Sequence, residues 1–234
     1  AQYKNNNFEK YYYEVDAEKS RNNYTLSYLI PELQKYVNTC SENIESNTNN
    51  EQTDRYIKIL KNELRKLNNQ TKIKFGAVEE INEKDFLKLY REELLEYFNK
   101  MTKSLNAQQY KINLKFDSVS FKLKELYGNN EAVYKLKTEN HNKQLEEIVK
   151  NKGEFDAVKE EGNELVQVID PIFKLPENRN GRAHFYAPVK KIGNIYYDTV
   201  WFNILFIWIT ALIIYLVLIF NLLRKFMDFL GRIM

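Results

Sequence analysis

The C-terminal end of the chain carries a long run of apolar residues without a charge. The run extends from Thr199 to Leu223, and a helix of that length, rising about 1.5 Å per residue, would span the roughly 30 Å hydrocarbon core of a bilayer. Residues typical of a membrane–water interface flank the run: Tyr196, Tyr197 and Trp201 at its start, and Arg224 and Lys225 at its end. A buried core helix is the alternative, but core helices rarely extend this far without a charge. The pattern therefore predicts a transmembrane helix over residues 199–223.

Apolar residues upstream of this run repeat at intervals of three and four, which predicts helices. One helix covers Leu29–Ile44, with Pro31 in its first turn, where the missing N–H costs nothing. The polar stretch SENIESNTNNEQT is then predicted to be a loop, and a second helix follows over Ile57–Leu67. We expect the two helices to pack as an antiparallel hairpin.

A longer apolar pattern begins at Leu87 and continues in phase to Leu126, which predicts a helix of about 40 residues. Strict alternation over residues 110–123 is also compatible with a β-hairpin that turns at Asp117–Ser118. The unbroken heptad phase on both sides favours the helix. Gly128 should end it, and a further helix should run from Asn129 or Asn130 to about Lys152.

Residues after Gly162 have a different character, with β-branched and aromatic side chains, proline and glycine. They predict extended strands or a compact connector between a helical domain and the membrane. The overall expectation is a mainly α protein with a helical-hairpin domain (1–168), a membrane-proximal connector (169–198), a transmembrane helix (199–223) and a short amphipathic tail (224–234).

Composition and charge exclude several functions. Residues 1–198 hold 32 Lys and Arg (35 less 3) and 31 Asp and Glu (32 less 1), a net charge near +1 and not the basic domain of a nucleic-acid-binding protein. Glycine-rich phosphate-binding motifs are missing, so neither a cofactor-binding nor a catalytic site is predicted in this segment. Cys40, His141 and His184 are too scattered for a structural zinc site. A lone cysteine leaves no intramolecular disulfide, and Cys40 is predicted to be a small core residue.

The connector contains the most distinctive polar residues of the chain. Its candidate contacts for lipid headgroups, or for coupling to the membrane helix, are Asp170, Arg182, His184, Lys190 and Lys191. The simpler alternative is a connector whose aromatic rings pack onto the helical domain while its cations face water. Both interpretations stay open at this point.

The orientation in the membrane follows only weakly from the basic residues. Three precede the apolar run within about 20 residues and three follow it: Arg182, Lys190 and Lys191, then Arg224, Lys225 and Arg232. Arg224 and Lys225 are immediately adjacent to the run, which favours a cytoplasmic C-terminus and an extracytoplasmic helical domain.

Several segments together resemble the C-terminal end of bacterial ABC transporters that carry an ATP-binding cassette and an exporter-type permease in one chain. The segments are IDPIF, GRAHFYAPVKK and TVWFN, followed by the apolar run and LLRKFMDFLG. The opening QYKNNNFEKYYYEVDAEKS, with YLIPELQKYVNTC, is similar to the start of the large periplasmic domain of these proteins. The similarity runs from Gln2 to Gly231 and is most specific at 169–190 and 199–225.

The resemblance implies a periplasmic domain plus the last transmembrane helix of an inner-membrane exporter. ATP and Mg²⁺ would bind upstream, as the start at Ala1 leads us to expect a fragment or a processed product. Expected partners are the lipid bilayer, the remaining permease and cassette domains, a second copy in a homodimer, and a periplasmic or outer-membrane protein. The alternative is a membrane-anchored helical module for assembly or ligand sensing.

One tripeptide also matches a modification pattern. Some Gram-negative bacteria attach O-glycans at Asp-Ser or Asp-Thr followed by an apolar residue, and Asp117–Ser118–Val119 fits it. Ser118 is therefore a candidate acceptor if the domain is periplasmic. Asp198–Thr199–Val200 also fits but should be hidden at the membrane edge.

Overall fold

The computed structural model describes residues 7–48, 50–140, 142–176, 178, 180–183, 187 and 189–221. It is mainly helical and consists of two compact units, Ala1–Phe173 and Lys174–Met234. Several predicted residues lie outside the described part of the chain: His141, His184, Arg224, Lys225 and the tail over 224–234. The side chains of residues 7–13 are likewise not described.

Two long helical stretches form the frame of the first unit. The first consists of α1 (Asn7–Tyr24), a π-helical turn (Thr25–Leu29) and α2 (Ile30–Ser46). The second consists of the short α4 (Glu83–Asp85), a π-helical turn (Phe86–Tyr90) and α5 (Arg91–Tyr127). Helix α3 (Asn50–Gln70) lies between them in sequence and packs on α2.

Helix α5 runs antiparallel to α1. The Asn22 side-chain amide donates to the Leu105 carbonyl at 3.2 Å, whereas Lys115, ten residues further along α5, donates to Glu18 at 2.8 Å. Helices α2, α3 and the first half of α5 enclose the centre of the core. Its fully buried side chains include Leu33, Val37, Cys40, Leu60, Leu64, Leu94, Phe98 and Met101. Most of the apolar side chains that carry the heptad phase of α5 are buried, from Leu94 to Leu123, whereas Leu126 at the end of the pattern is exposed.

The helix prediction for residues 110–123 is confirmed, because α5 is continuous through this segment and ends at Gly128, whose φ is +90°. The loop predicted for SENIESNTNNEQT is too long. Helix α2 extends to Ser46, with a left-handed Asn47 as its cap, and α3 begins at Asn50. The helix predicted from Asn129 or Asn130 to about Lys152 is two helices, α6 (Asn130–Asn140) and α7 (Lys143–Lys150). Asn142 starts α7 by accepting a hydrogen bond from the Leu145 N–H at 3.0 Å.

An antiparallel hairpin follows α7, with strands β1 (Val158–Glu161) and β2 (Glu164–Gln167). Gly162 takes a positive φ of +64° in the turn between the two strands. The extended structure was predicted to begin after Gly162, but it begins at Val158. The hairpin is held on α3 by Glu63, which is almost fully buried and accepts hydrogen bonds from the Leu165 N–H and the Lys66 ammonium. A 3₁₀ turn over Pro171–Phe173 completes the unit.

The second unit contains a second antiparallel hairpin and one long helix. Strands β3 (Val189–Ile192) and β4 (Ile195–Asp198) pair directly, and α8 (Thr199–Ile219) follows without a linker. The Asp198 carboxylate caps α8 by accepting from the Val200 N–H at 2.9 Å. Helix α8 has a mean hydropathy of 2.6, and its apolar window has no part buried inside the protein. It is long and apolar enough to cross a membrane.

Candidate functional site: the Asp170 turn and the lysine–tyrosine hairpin

The segment Ile169–Phe173, here called the Asp170 turn, ends the first unit and immediately precedes the second in sequence. Asp170 takes a left-handed conformation with φ of +52°. Its N–H donates to the Lys150 carbonyl at 3.0 Å, and its own carbonyl accepts from the Phe173 N–H at 3.0 Å. The carboxylate accepts a 2.6 Å hydrogen bond from the Ser20 hydroxyl on α1. The backbone and the side chain of one residue thus join the turn to two helices.

Phe173 forms a second point of attachment. Its ring is buried, the Lys150 ammonium lies 5.1 Å from its centroid, and its carbonyl accepts a hydrogen bond from the Arg21 guanidinium at 3.2 Å. The turn is therefore held by hydrogen bonds and by a packed ring, and not by chain connectivity alone.

An ion-pair network lies beside the turn. Lys150 pairs with Asp16 at 3.2 Å and with Glu146 at 3.1 Å, and Lys152 also pairs with Glu146, at 3.0 Å. Burial opposes the charge on Lys150, but the neighbouring Asp16 and Glu146 carboxylates outweigh it and raise the pKa of the Lys150 ammonium. Burial also opposes the charge on Glu146 and by itself would raise the pKa of that carboxyl, but hydrogen bonds from Lys152 and Lys150 lower this pKa to about 2. The charged forms of Lys150 and Glu146 are thus favoured, and the Lys150–Asp16 ion pair joins the end of α7 to α1.

Asp170 belongs to the first unit, whereas the other candidate residues of the connector belong to the second. Lys190 and Lys191 are adjacent on β3, opposite Tyr197 and Tyr196 of β4. The Lys190 ammonium donates to the Asn203 side-chain oxygen at 2.8 Å and lies 4.6 Å from the centroid of the Phe202 ring. The Lys191 ammonium lies 5.3 Å from the centroid of the Tyr196 ring. We call strands β3 and β4 the lysine–tyrosine hairpin.

The aromatic residues predicted to be membrane anchors are accessible. Tyr196, Tyr197 and Trp201 are 46%, 43% and 65% exposed. Rings of this kind, beside two ammonium groups and a largely exposed apolar helix, form the arrangement that favours a membrane–water interface. Arg182 is also exposed.

Gly181 gives the second unit its close packing. It takes a φ of +76°, its N–H donates to the Lys191 carbonyl at 2.8 Å, and a Cβ built on it would lie 2.7 Å from Phe202 Cζ. The segment before β3 therefore approaches α8 at a position where only glycine fits.

The remaining sequence candidates are placed as follows. Cys40 is fully buried, and burial, with a smaller effect of the Glu83 charge, raises the pKa of its thiol to about 12. Ser118 is exposed on α5, whereas the Thr199 hydroxyl donates to the Ala187 carbonyl at 2.6 Å. Within the described residues, no group of three histidine, cysteine or carboxylate side chains is arranged to hold a metal ion.

The residues that sequence reasoning missed are the partners of Asp170. Ser20 lies 150 positions earlier in the chain, in a helix that was not predicted, and Lys150 lies at the end of α7 and binds through its backbone carbonyl. Nothing in the local sequence pattern distinguishes either residue.

Comparisons with protein-family models, with curated proteins and with solved structures gave no significant match. The resemblance to ABC exporters therefore stays a prediction from sequence segments.

Proposed function

We propose that the chain is a membrane-anchored, extracytoplasmic helical module of an ATP-driven exporter, and that the Asp170 turn couples it to the membrane helix. The observation that carries this proposal is the anchoring of the turn. Residues next to the second unit in sequence are tied to α1 by the Ser20–Asp170 and Arg21–Phe173 hydrogen bonds, and to α7 by the hydrogen bond from the Asp170 N–H to the Lys150 carbonyl. A displacement of the chain at this point pulls on two helices and not on a loose linker.

In this proposal α8 is the last span of an inner-membrane permease, with a periplasmic first unit and a cytoplasmic C-terminus. The exposed tyrosines and Trp201, together with Lys190 and Lys191, contact lipid headgroups. ATP and Mg²⁺ act in a cassette upstream, and the helical module guides substrate or recruits a periplasmic or outer-membrane partner. In this proposal the module itself catalyses no reaction.

Transport and ATP hydrolysis measured separately on full-length protein in proteoliposomes test the coupling. We expect Asp170→Ala to reduce transport severalfold while ATP hydrolysis stays within a fewfold of the unmodified protein, because the nucleotide sites are elsewhere. Asp54→Ala is the matched control, since Asp54 is an exposed carboxylate on α3. Equal transport by the Asp170 and Asp54 variants would exclude a coupling role for the turn.

Cysteine labelling of intact cells tests the location of the first unit. Cys40 needs no replacement, because it is fully buried and its thiol pKa is raised to about 12. A Thr48→Cys variant places an exposed thiol at the end of α2. An impermeant maleimide should label it once the outer membrane is permeabilised. Labelling that requires rupture of the inner membrane would reverse the proposed topology.

A second candidate function is assembly without transport. It is favoured by large apolar side chains that α5 leaves exposed, among them Tyr110, Leu114 and Phe121. The two candidates differ in a simple respect, because only the exporter requires ATP hydrolysis by the same polypeptide. ATPase activity of the purified full-length protein therefore distinguishes them.

A further inference from the structure

The second half of α5 has two apolar faces. One faces α1 and contains the buried Leu105, Ile112 and Leu123. The other contains Tyr110, Leu114 and Phe121, which are 67%, 51% and 62% exposed. At about 100° per residue, these three side chains fall within about 40° of each other and nearly opposite the buried face. A helix that needs only one partner does not require the second face.

The exposed face has the spacing of a helix–helix seam. Its positions follow intervals of four and three residues over five turns: Lys103, Ala107, Tyr110, Leu114, Asp117 and Phe121. All six residues are exposed. The seam lies on a regular, uninterrupted stretch of α5 and is available to a second helix.

We infer that this seam pairs with the same seam of a second copy of the chain, antiparallel and centred on Leu114. In that register, residue i of one copy faces residue 228 − i of the other. Leu114 then meets Leu114 on the twofold axis, Phe121 meets Ala107, and Tyr110 meets Ser118. Each large side chain away from the axis thus faces a small one.

The charges within and beside the seam select the same register. Lys103 of one copy faces Glu125 of the other, and Lys111 faces Asp117, so each twofold-related pair brings opposite signs together. A parallel pairing would instead place Lys103 against Lys103 and Asp117 against Asp117. Electrostatic complementarity therefore specifies the antiparallel dimer and opposes the parallel one.

The size of the contact predicts a weak dimer. Two aromatic side chains and one leucine from each copy contribute, and they expose only 51–67% of their surface in the free chain. At about 150–250 Å² for a fully buried aromatic, the area that they bury is well below the roughly 1,200 Å² that separates transient from standard interfaces. Confinement to a membrane would raise the effective concentration of the two copies. The inference does not depend on the exporter proposal, since it rests on α5 alone.

Site-specific cross-linking of the full chain in detergent micelles tests both the surface and its register. Cys40 is buried, so the protein without an added cysteine should not be cross-linked. With a short bismaleimide, Leu114→Cys should cross-link to itself. Ala107→Cys or Phe121→Cys alone should not, because equivalent residues lie about 21 Å apart along the paired helices. A mixture of the Ala107→Cys and Phe121→Cys variants should cross-link to each other. Tyr134→Cys, exposed on α6, is the control.

A charge reversal tests the same register independently of cross-linking. Lys103→Glu should weaken the dimer roughly tenfold by analytical ultracentrifugation, and adding Glu125→Lys should restore it. The inference is overturned if Leu114→Cys cross-links no better than Tyr134→Cys. It is also overturned if Ala107→Cys alone cross-links as well as Leu114→Cys, because that result indicates parallel pairing. A third refuting result is a double charge-reversal variant that stays monomeric although its circular dichroism spectrum shows unchanged helix content.

Discussion

Replacement of Asp170 separates the two contributions by which this residue holds its turn. Asp170→Ala removes the hydrogen bond from the Ser20 hydroxyl and places a Cβ-bearing residue without a polar side chain at a φ of +52°. A hydrogen bond to a charged group contributes about 1.5–3 kcal/mol, and the lower value applies here because the site is half-buried. The left-handed conformation costs alanine about 1 kcal/mol more, since aspartate tolerates it better.

The sum is about 2.5 kcal/mol of local stability, equivalent to a roughly 60-fold larger open population of the turn. Hydrogen exchange with mass spectrometry measures this population directly. The reporting amides are those of Asp170 and Phe173, which donate to the Lys150 and Asp170 carbonyls. Exchange in a peptide from α3 should be unchanged, because the turn does not form that part of the core.

Two further variants make the test specific. Asp170→Asn keeps an acceptor oxygen and the tolerance for positive φ, so its exchange should stay within a fewfold of the unmodified protein. Asp170→Gly loses the hydrogen bond but not the conformation, so it should fall between the asparagine and alanine variants. The reasoning is refuted if the asparagine and alanine variants exchange equally fast, or if neither differs from the unmodified protein.

Three other predictions follow from the described contacts. Gly181→Ala should lower the thermal stability of the second unit, since the added Cβ would clash with Phe202. Gly193 also has a positive φ but has open space around it, so Gly193→Ala should cost only about 1 kcal/mol. Equal losses of helical signal on heating the two variants would contradict this prediction. Because the folded-state pKa of Glu146 is lowered to about 2, its ion pairs stabilise α7 above the ordinary glutamate pKa and are lost as pH falls from about 5 towards 2; Glu146→Gln should flatten this pH dependence of exchange in α7. Intact-mass measurement of the native protein tests the hypothesis of an O-glycan on Ser118, and a glycan there would block the antiparallel seam.

The sequence was sufficient to predict the helices whose apolar residues follow one continuous pattern. Helix α5 keeps a heptad phase over its whole length, and this phase outweighs the local alternation over 110–123 that suggested a hairpin. The same holds for α8, whose uninterrupted apolar sequence makes it long and apolar enough to cross a membrane. In both cases the decisive interaction repeats along the helix, so a pattern in one segment is enough.

Helix α1 was not predicted because its stability comes mainly from contacts with residues far away in the sequence. Val15 and Ala17 are buried, but the neighbouring positions are polar, and the segment has little amphipathic character of its own. Asn22 is buried and donates to the Leu105 carbonyl and to the Gln109 side chain on α5. Such a helix forms because α5 offers a complementary surface, and no local pattern contains that information.

The Asp170 turn shows the same limit at the candidate site. Asp170 followed by Pro171 predicts a local turn, and a 3₁₀ turn is present at Pro171–Phe173. The function of that turn as an anchor comes from Ser20 and Lys150, which the chain brings there from 150 and 20 positions upstream. Two adjacent helices must already be packed before the carboxylate finds its donor. The turn lies outside the α2–α3 core, so we expect it to open without unfolding that core, as the proposed coupling role requires.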